Sequence, residues 1–363
     1  MTYLLAIGTR KGLWLAQSED RRSWKVDEPH FLMQEVHSAA IDTRGGKTRL
    51  FAGSKSWHWG PTVLYSDDLG ANWSEPEKGS VRFKIDDAAS VEAIWQIVPD
   101  AENRPGVVWA GSEPSALWRS DDGGESFSLM RALWDHPHRE KWDAGFGGQA
   151  IHTVLPHPQD DQRVLVAMST GGVYVTDDGG DSWRPSNEGI KAYFFPEGQQ
   201  YPEFGQCVHK VARDRTHPER LFAQNHHGVY RSDDGGASWT SIADGLPSDF
   251  GFAVVTHPTE PETAWYVPLV ADGHRFPPDG ALKVWRTSDG GTSWTDSSHG
   301  LPQTGFYNAV MRDAFSCDGA DEPGLYLGAR DGSVFASPDS GQTWSEVVRH
   351  LPDVLCVRAA ELP

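Results

Sequence analysis

Short apolar runs bounded by turn residues recur along the whole chain. Between Val36 and Trp73 four such runs follow one another, at residues 36–41, 49–53 and 62–65 and from Trp73 onward. Runs of this length between clusters of Gly, Asp and Ser are typical of short antiparallel strands, here called A to D. The same order recurs from Ala93, Ile151, Val208, Phe252 and Asn308. The pattern predicts an all-β protein built from repeated four-strand units.

A repeated turn motif lies between strands C and D of each unit. Its best copy, from Ser232 to Trp239, has the sequence S-D-D-G-G-A-S-W. The aromatic residues that close the seven copies, the first of them degenerate, are Trp24, Trp73, Phe127, Trp183, Trp239, Trp294 and Trp344. Neighbouring copies are about 50 residues apart, a period that indicates a propeller, a solenoid or an array.

The residue types of this motif predict a stapled hairpin. The Asp234 carboxylate can accept hydrogen bonds from backbone N–H groups further along the turn. Gly235 supplies the positive φ that a tight turn needs. Trp239 opens the next strand and offers a large flat ring to bury between neighbouring units. We therefore expect the motif to stabilise the fold rather than to carry chemistry.

The motif S-x-D-x-G-x-[ST]-W resembles the Asp-box, or BNR, repeat of sialidase-like β-propellers, and the resemblance covers the whole chain. Sialidases, two-domain xyloglucanases, sortilin-type receptors and photosystem assembly factors all use this repeat. The resemblance therefore implies the propeller fold and leaves the activity open, since one fold hosts many functions.

We predict a single seven-bladed β-propeller with four antiparallel strands per blade. The first unit starts at its strand B, Tyr3 to Gly8, and residues 354–359 supply the missing strand A. The C-terminal strand would then close the ring by pairing inside the N-terminal blade, which removes two open sheet edges. The predicted blades are 1–28 plus 353–363, 35–78, 90–131, 149–188, 206–243, 250–299 and 306–349.

Charge and cysteine content narrow the possible partners. The formal net charge of −19 disfavours nucleic acid and anionic lipid. Three widely spaced cysteines, Cys207, Cys317 and Cys356, argue against a disulfide framework and for a reducing compartment. The N-terminus shows no signal peptide, so we expect a cytoplasmic protein without membrane contact. The oligomeric state stays open.

Strand parity assigns each loop to a face. The D–A and B–C loops share one face, here called the top, and the A–B loops and repeated turns share the bottom. Two D–A loops, about residues 129–149 and 185–206, are long and rich in aromatic residues, including Trp142 and Phe146. The longest B–C loop, residues 271–280, contains Asp272. Long ordered loops are usually functional, which predicts a binding site on the top face.

The candidate site residues all come from this face. Carboxylates with aromatic platforms suit glycoside chemistry, histidines suit proton transfer or metal binding, and Arg10 with Lys11 could hold an anionic group. The catalytic candidates are Glu113, His152 and His227. The ligand-binding candidates are Arg10, Lys11, His37, His58, Glu92, Trp134, His209, His226, Asp249 and Arg275.

The leading hypothesis is a sialidase-like propeller of the glycosyl hydrolase type that binds or acts on a small carbohydrate-like ligand at the top mouth. The sialidase activity itself is disfavoured. Sialidases carry an Arg-Ile-Pro-type motif near the N-terminus, whereas Arg10 stands in G-T-R-K-G, and their propellers have six blades. An enzyme here would be a glycoside hydrolase or a lyase.

Two alternatives remain. One is a non-catalytic binding or assembly scaffold, and the other is a metal-dependent enzyme that uses top-face histidines. His152 and His209 start strand A of adjacent blades and could face one ion. No motif requires a cofactor, so a divalent metal stays possible. A deep polar pocket would favour an enzyme, and a flat apolar patch a scaffold.

Overall fold

The computed structural model describes residues 1–145, 147–271 and 273–363. Phe146 and Asp272, two residues of the predicted top-face loops, lie outside the described residues. Seven antiparallel sheets follow one another along the chain, which confirms the prediction of a seven-bladed β-propeller. Among the described residues, no helix is long and apolar enough to cross a membrane.

The strands are short, and helices are few and brief. The strands are β1 (Tyr3–Thr9), β2 (Gly12–Ser18), β3 (Lys25–Val26), β4 (Glu35–Asp42), β5 (Arg49–Ser56), β6 (Gly60–Ser66), β7 (Ala93–Pro99), β8 (Val108–Glu113), β9 (Ala116–Ser120), β10 (Ser128–Leu129), β11 (Ile151–Pro156), β12 (Val164–Met168), β13 (Gly172–Thr176), β14 (Arg184–Pro185), β15 (Val208–Arg213), β16 (Leu221–Asn225), β17 (Val229–Ser232), β18 (Thr240–Ser241), β19 (Phe250–Thr256), β20 (Ala264–Leu269), β21 (Trp285–Thr287), β22 (Thr295–Asp296), β23 (Phe315–Cys317), β24 (Leu325–Gly328), β25 (Val334–Ser337), β26 (Ser345–Val348) and β27 (Val354–Glu361). The helical segments are α1 (Arg131–Trp134) and 3-10 turns at Arg44–Gly46, Ile85–Asp87, Arg139–Lys141 and Pro278–Gly280.

Each sheet is formed by consecutive strands, except where the ring closes. The sheet orders are β27-β1-β2-β3, β4-β5-β6, β7-β8-β9-β10, β11-β12-β13-β14, β15-β16-β17-β18, β19-β20-β21-β22 and β23-β24-β25-β26. In the second blade the fourth strand is reduced to one bridge between Tyr65 and Ser74.

The C-terminal strand closes the ring, as the sequence predicts. β27 pairs antiparallel with β1 from Tyr3 opposite Glu361 to Thr9 opposite Val354, with one irregularity after Gly8. Because β27 supplies the missing strand of the first blade, the two ends of the chain are tied together and no sheet edge is left open there.

The repeated turns form the hydrogen bonds that their residue types allow. The Asp234 carboxylate accepts from the Ser238 backbone N–H at 2.9 Å and from the Ser238 hydroxyl at 2.6 Å. The Ser232 hydroxyl donates to Asp234 at 2.7 Å and accepts from the Gly236 N–H at 2.8 Å. Trp239 is buried, and its ring N–H donates to Ser186 O of the preceding blade at 3.0 Å. This turn thus closes a hairpin and also joins two blades, and the ring N–H groups of Trp294 and Trp344 donate to the preceding blade in the same way, to Ile242 O at 3.1 Å and Ser297 O at 2.8 Å.

The last blade departs from the prediction. Its first strand begins at Phe315 rather than at Asn308. Before it, Asp313 forms a parallel bridge with Cys356 of β27, and the Val357 N–H donates to Asp313 O at 2.8 Å. Because this stretch pairs with the first blade instead of its own, it brings Arg312 and Asp313, both buried, to the central channel.

Candidate functional site

A cavity of about 1180 Å³ opens where the B–C and D–A loops lie, on the predicted top face. The starts of several A strands form its floor. Residues 141–147 of one long D–A loop and residues 193–207 of the other contribute to its wall over the described residues. The two D–A loops that are unusually long in the sequence therefore border this cavity.

Aromatic rings form much of the cavity lining. Trp95 lies beside His37, with ring centroids 5.4 Å apart and planes tilted by 32°. Phe252, Phe195 and Phe204 line the cavity as well. Such a surface, with polar groups at its edge, suits a ligand that has both apolar faces and hydroxyl groups.

Arg312 is the buried charge of this site. Its guanidinium carbon lies 5.1 Å from the ring centroid of Phe252 and 5.8 Å from that of Trp95. Among the described residues, the hydrogen bond that its guanidinium donates is a long one, 3.4 Å to the Ser169 hydroxyl. Over the described residues, its Nε has no hydrogen-bond partner and no carboxylate forms a salt bridge with it. A buried cation with so little compensation is a suitable partner for an anionic ligand group.

The neighbouring cations are compensated by protein carboxylates. The Asp313 carboxylate is 2.8 Å from Lys210 Nζ and also contacts the Arg358 guanidinium. Arg10 and Arg330 at the rim share Asp353, at 3.0 and 2.7 Å.

Cys207, His209 and His226 form a second polar cluster in the cavity wall. His209 Nδ1 is 2.6 Å from Gly251 O, so Nδ1 carries the proton and Nε2 presents its lone pair. His209 Nε2 is 3.6 Å from Cys207 Sγ. Burial, and next to it the nearby Arg312 charge, lowers the pKa of His209 well below its ordinary value, so the ring is neutral near pH 7. One ligand atom from each of the three side chains lies within 4.8 Å of the others.

The structure brings six of the sequence-predicted residues together at this cavity. They are Arg10, His37, His209, His226, His227 and Arg275. The other seven lie outside the described lining. They are Lys11, His58, Glu92, Glu113, Trp134, His152 and Asp249.

Three of these seven lie directly behind the wall. Glu113 accepts a hydrogen bond from the Trp95 ring N–H at 3.0 Å and so holds a lining ring in place. His152 is buried, and its Nε2 is 3.2 Å from the Ser169 hydroxyl. Asp249 is 3.9 Å from His227 Nδ1, and its interaction with the His227 ring lowers the pKa of Asp249 below its ordinary value. These residues are placed to position the lining rather than to contact a ligand.

The remaining three polar candidates are surface residues. Lys11 and His58 are exposed, and His58 lies between two rings, Trp57 and Trp59, that are each 86% exposed. Glu92 is exposed and lies 4.0 Å from Lys55.

Trp134 does not fit its assignment as a ligand platform. It belongs to α1, which follows directly on β10, and its ring is buried with its centroid 4.4 Å from that of Phe83. Arg139 covers the ring, with its guanidinium carbon 3.9 Å from the centroid. An indole enclosed in this way stabilises the third blade and leaves no face for a ligand.

Cys207, Arg312 and Trp95 are among the lining residues that the sequence-based prediction missed. Cys207 had a signal, because Cys207-Val208-His209 at a strand start puts the outer two side chains on one side of the strand. No sequence pattern pointed to Arg312, because it falls inside a stretch that was predicted to be a strand of the last blade.

No protein-family model matches the chain. A xyloglucanase of Paenibacillus sp. is 26% identical over 275 residues, which cover 73% of this chain and 23% of that protein. A xyloglucanase of Hypocrea jecorina (strain QM6a) is 23% identical over 256 residues, or 67% of this chain and 24% of that protein. The chain therefore spans about a quarter of the length of these curated relatives.

Solved structures share the fold. The crystal structure of an ancestral GH74 enzyme matches with a TM-score of 0.57 and 14% identity, covering 89% of this chain and 38% of that one. YCF48 bound to D1 peptide matches with a TM-score of 0.50 and 15% identity, covering 86% and 82%. At these identities the likeness shows the fold alone. With the xyloglucanase relatives, it supports a propeller of the glycosidase-like kind.

Proposed function

We propose that this propeller binds an anionic, carbohydrate-like ligand in the top-face cavity. The observation that carries the proposal is the buried Arg312 guanidinium beside the rings of Trp95 and Phe252. Aromatic faces pack against the apolar faces of a sugar ring, and a guanidinium pairs with a carboxylate in a fixed fork geometry. The xyloglucanase relatives support a carbohydrate as the ligand class.

The charge distribution supports an acidic rather than a neutral sugar. The chain as a whole carries a formal charge of −19. The described cavity lining nevertheless gathers five cations, Arg10, Lys141, Arg275, Arg312 and Arg330, against three carboxylates, Asp143, Glu203 and Asp313. A local positive site on an acidic protein favours small anions, which can enter the cavity. It disfavours long anionic polymers, because they must also approach the acidic protein surface.

Hydrolysis of the bound sugar is the second candidate function. Asp143 and Glu203 are exposed carboxylates that line the cavity from the two long D–A loops. Glycosidases use a pair of carboxyl groups on either side of the scissile bond, and over the described residues neither of these two forms a salt bridge. Binding is the better supported function, since the buried cation contributes to it directly.

The proposal is tested by calorimetry with matched neutral and uronic acid-containing oligosaccharides. The wild-type protein should bind the acidic member of a pair, and Arg312→Gln should weaken that binding by at least about tenfold, or about 1.4 kcal/mol. Arg119→Gln is the control. Arg119 forms an ion pair of 2.8 Å with Asp121, and it lies outside the cavity lining. Equal affinity for the neutral sugar, or unchanged binding by Arg312→Gln, would contradict the proposal.

The hydrolysis candidate needs a separate readout. Release of reducing ends should be absent in Asp143→Asn and Glu203→Gln if these two groups do the chemistry, while both variants still bind the acidic sugar. If the wild-type protein binds but releases no product, the protein is a binding propeller.

A further inference from the structure

Strand pairing brings a thiol and two imidazoles to one point of the cavity wall. Cys207 directly precedes β15, and a bulge between Val208 and Lys210 leaves His209 without a partner residue on β16, with its Nε2 3.6 Å from Cys207 Sγ. His226 follows the last residue of β16, and its N–H donates to Cys207 O at 2.8 Å, continuing the ladder in which Val208 lies opposite Asn225. The three side chains therefore converge because of backbone register, not because of a flexible loop.

The distances fit a tetrahedral metal site. With zinc–sulfur bonds of about 2.3 Å and zinc–nitrogen bonds of about 2.0 Å, a tetrahedral site puts S and N about 3.5 Å apart. Cys207 Sγ and His209 Nε2 are 3.6 Å apart, and one atom of His226 completes a group within 4.8 Å.

The surroundings of His209 match those of a metal ligand. Its Nδ1–H donates to Gly251 O at 2.6 Å, which fixes the ring orientation and leaves Nε2 to coordinate. Histidines that bind metals almost always donate their other ring nitrogen to such an acceptor. A ring that served only to fill the core would not need its second nitrogen directed at a thiol.

We propose that Cys207, His209 and His226 bind one divalent transition-metal ion, with zinc the best fit. Thiolate and imidazole are ligands that zinc prefers, whereas calcium and magnesium take oxygen ligands. All three residues line the cavity, which leaves room for a fourth ligand from the cavity. Three protein ligands with one open position are the arrangement of reactive rather than purely structural zinc sites.

The direct test is metal analysis of the full-length protein without any sugar. After incubation with zinc sulfate and extensive dialysis, the wild-type protein should retain about one zinc per chain. Cys207→Ser and His226→Gln should each lose most of it. Cys317→Ser and His217→Gln are the controls, since both residues lie outside the cavity lining, and they should retain the metal.

A second readout does not depend on whether the variants fold. Cobalt(II) bound to the wild-type protein should show the intense visible bands of a tetrahedral site and a thiolate-to-cobalt charge-transfer band. The proposal is overturned if the wild-type protein retains well below one metal per chain, if the thiolate band is absent, or if Cys207→Ser keeps the metal. Because no sugar is present, these results are independent of the carbohydrate proposal.

Discussion

At the scale of single residues, the repeated aspartates show how one carboxylate can organise a whole turn. In the fourth blade the Ser182 hydroxyl and backbone N–H both donate to Asp178, at 2.5 and 2.9 Å. These hydrogen bonds, led by that of the Ser182 hydroxyl, hold the pKa of Asp178 well below its ordinary value. In the degenerate first copy, hydrogen bonds from the backbone of Ser23 and Arg22 lower the pKa of Asp20 to about 2. The ionised carboxylate is therefore the form that the turns require.

Asp234→Ala should lower the free energy of unfolding by roughly 1–3 kcal/mol, because it leaves the turn donors of Ser238 unsatisfied. Asp233→Ala is the matched control. Its carboxylate contacts only the partly exposed Arg220 and Arg231 side chains, at 2.6 and 3.0 Å, and such pairs contribute roughly 0–1 kcal/mol. Urea unfolding of the two variants checks this. Equal losses of unfolding free energy in Asp234→Ala and Asp233→Ala would show that the position of the aspartate in the motif does not matter.

The candidate site shows why some residues could be predicted and others could not. The histidines at the starts of A strands and in B–C loops were found because strand parity alone assigns them to the top face. Trp134 was wrongly assigned to the ligand site because strand parity does not show which way the ring of a loop residue packs. In the structure its ring is buried in the core. Arg312 was missed because its position depends on pairing with β27, far away in the sequence.

At the scale of secondary-structure elements, β27 is the strand on which ring closure depends. It pairs with β1 along its whole length, and Val354, Cys356 and Val357 are fully buried. Its pairing partner and position follow from the repeat, since the first unit lacks one strand. The start of the last blade could not be predicted in this way, because the stretch at 308–313 crosses toward the channel instead of forming a strand.

Deletion of residues 354–363 should abolish cooperative thermal unfolding and cause aggregation, because it exposes β1 and the edge of the last blade. A shorter deletion of residues 362–363 is the control, since it leaves β27 whole and removes the Leu362 N–H to Thr2 O hydrogen bond of 2.8 Å and the partly buried Leu362 side chain. Calorimetry with size-exclusion chromatography distinguishes the two. If the longer deletion melted like the full chain, ring closure would not matter for stability.

At the scale of the whole molecule, buried ion pairs join blades across the channel. The Asp313 carboxylate of the last blade meets Lys210 of β15 and Arg358 of β27, so three blades share one charge cluster. Lys210 also donates to His152 O of β11 at 3.3 Å. Because these partners come from blades that are not neighbours in sequence, the cluster forms only when the ring is closed.

Acid should unfold the protein in part through this cluster. Burial alone would raise the pKa of Asp313, but Lys210 and Arg358 overcome it and lower the pKa to about 2. A carboxyl group with a depressed pKa in the folded state stabilises it fully above its ordinary value of 3.8, and this contribution is lost as the pH falls through about 2. Asp313→Asn at pH 7 should cost roughly 3–5 kcal/mol, because it leaves two cations buried without a partner.

A control variant and a pH series test whether the stability loss of Asp313→Asn comes from the buried ion pairs of Asp313. Asp296→Asn breaks an ion pair of similar length, 2.6 Å to Lys283, but that carboxylate is 40% exposed, so roughly 0–1 kcal/mol is expected. Urea unfolding at a series of pH values from 7 down to 2 should show the difference in stability between the wild-type protein and Asp313→Asn shrinking as the pH falls from 3.8 toward about 2, because protonation removes the charge that the variant already lacks. Parallel curves, or equal losses in the two variants at pH 7, would show that the channel cluster does not hold the ring together.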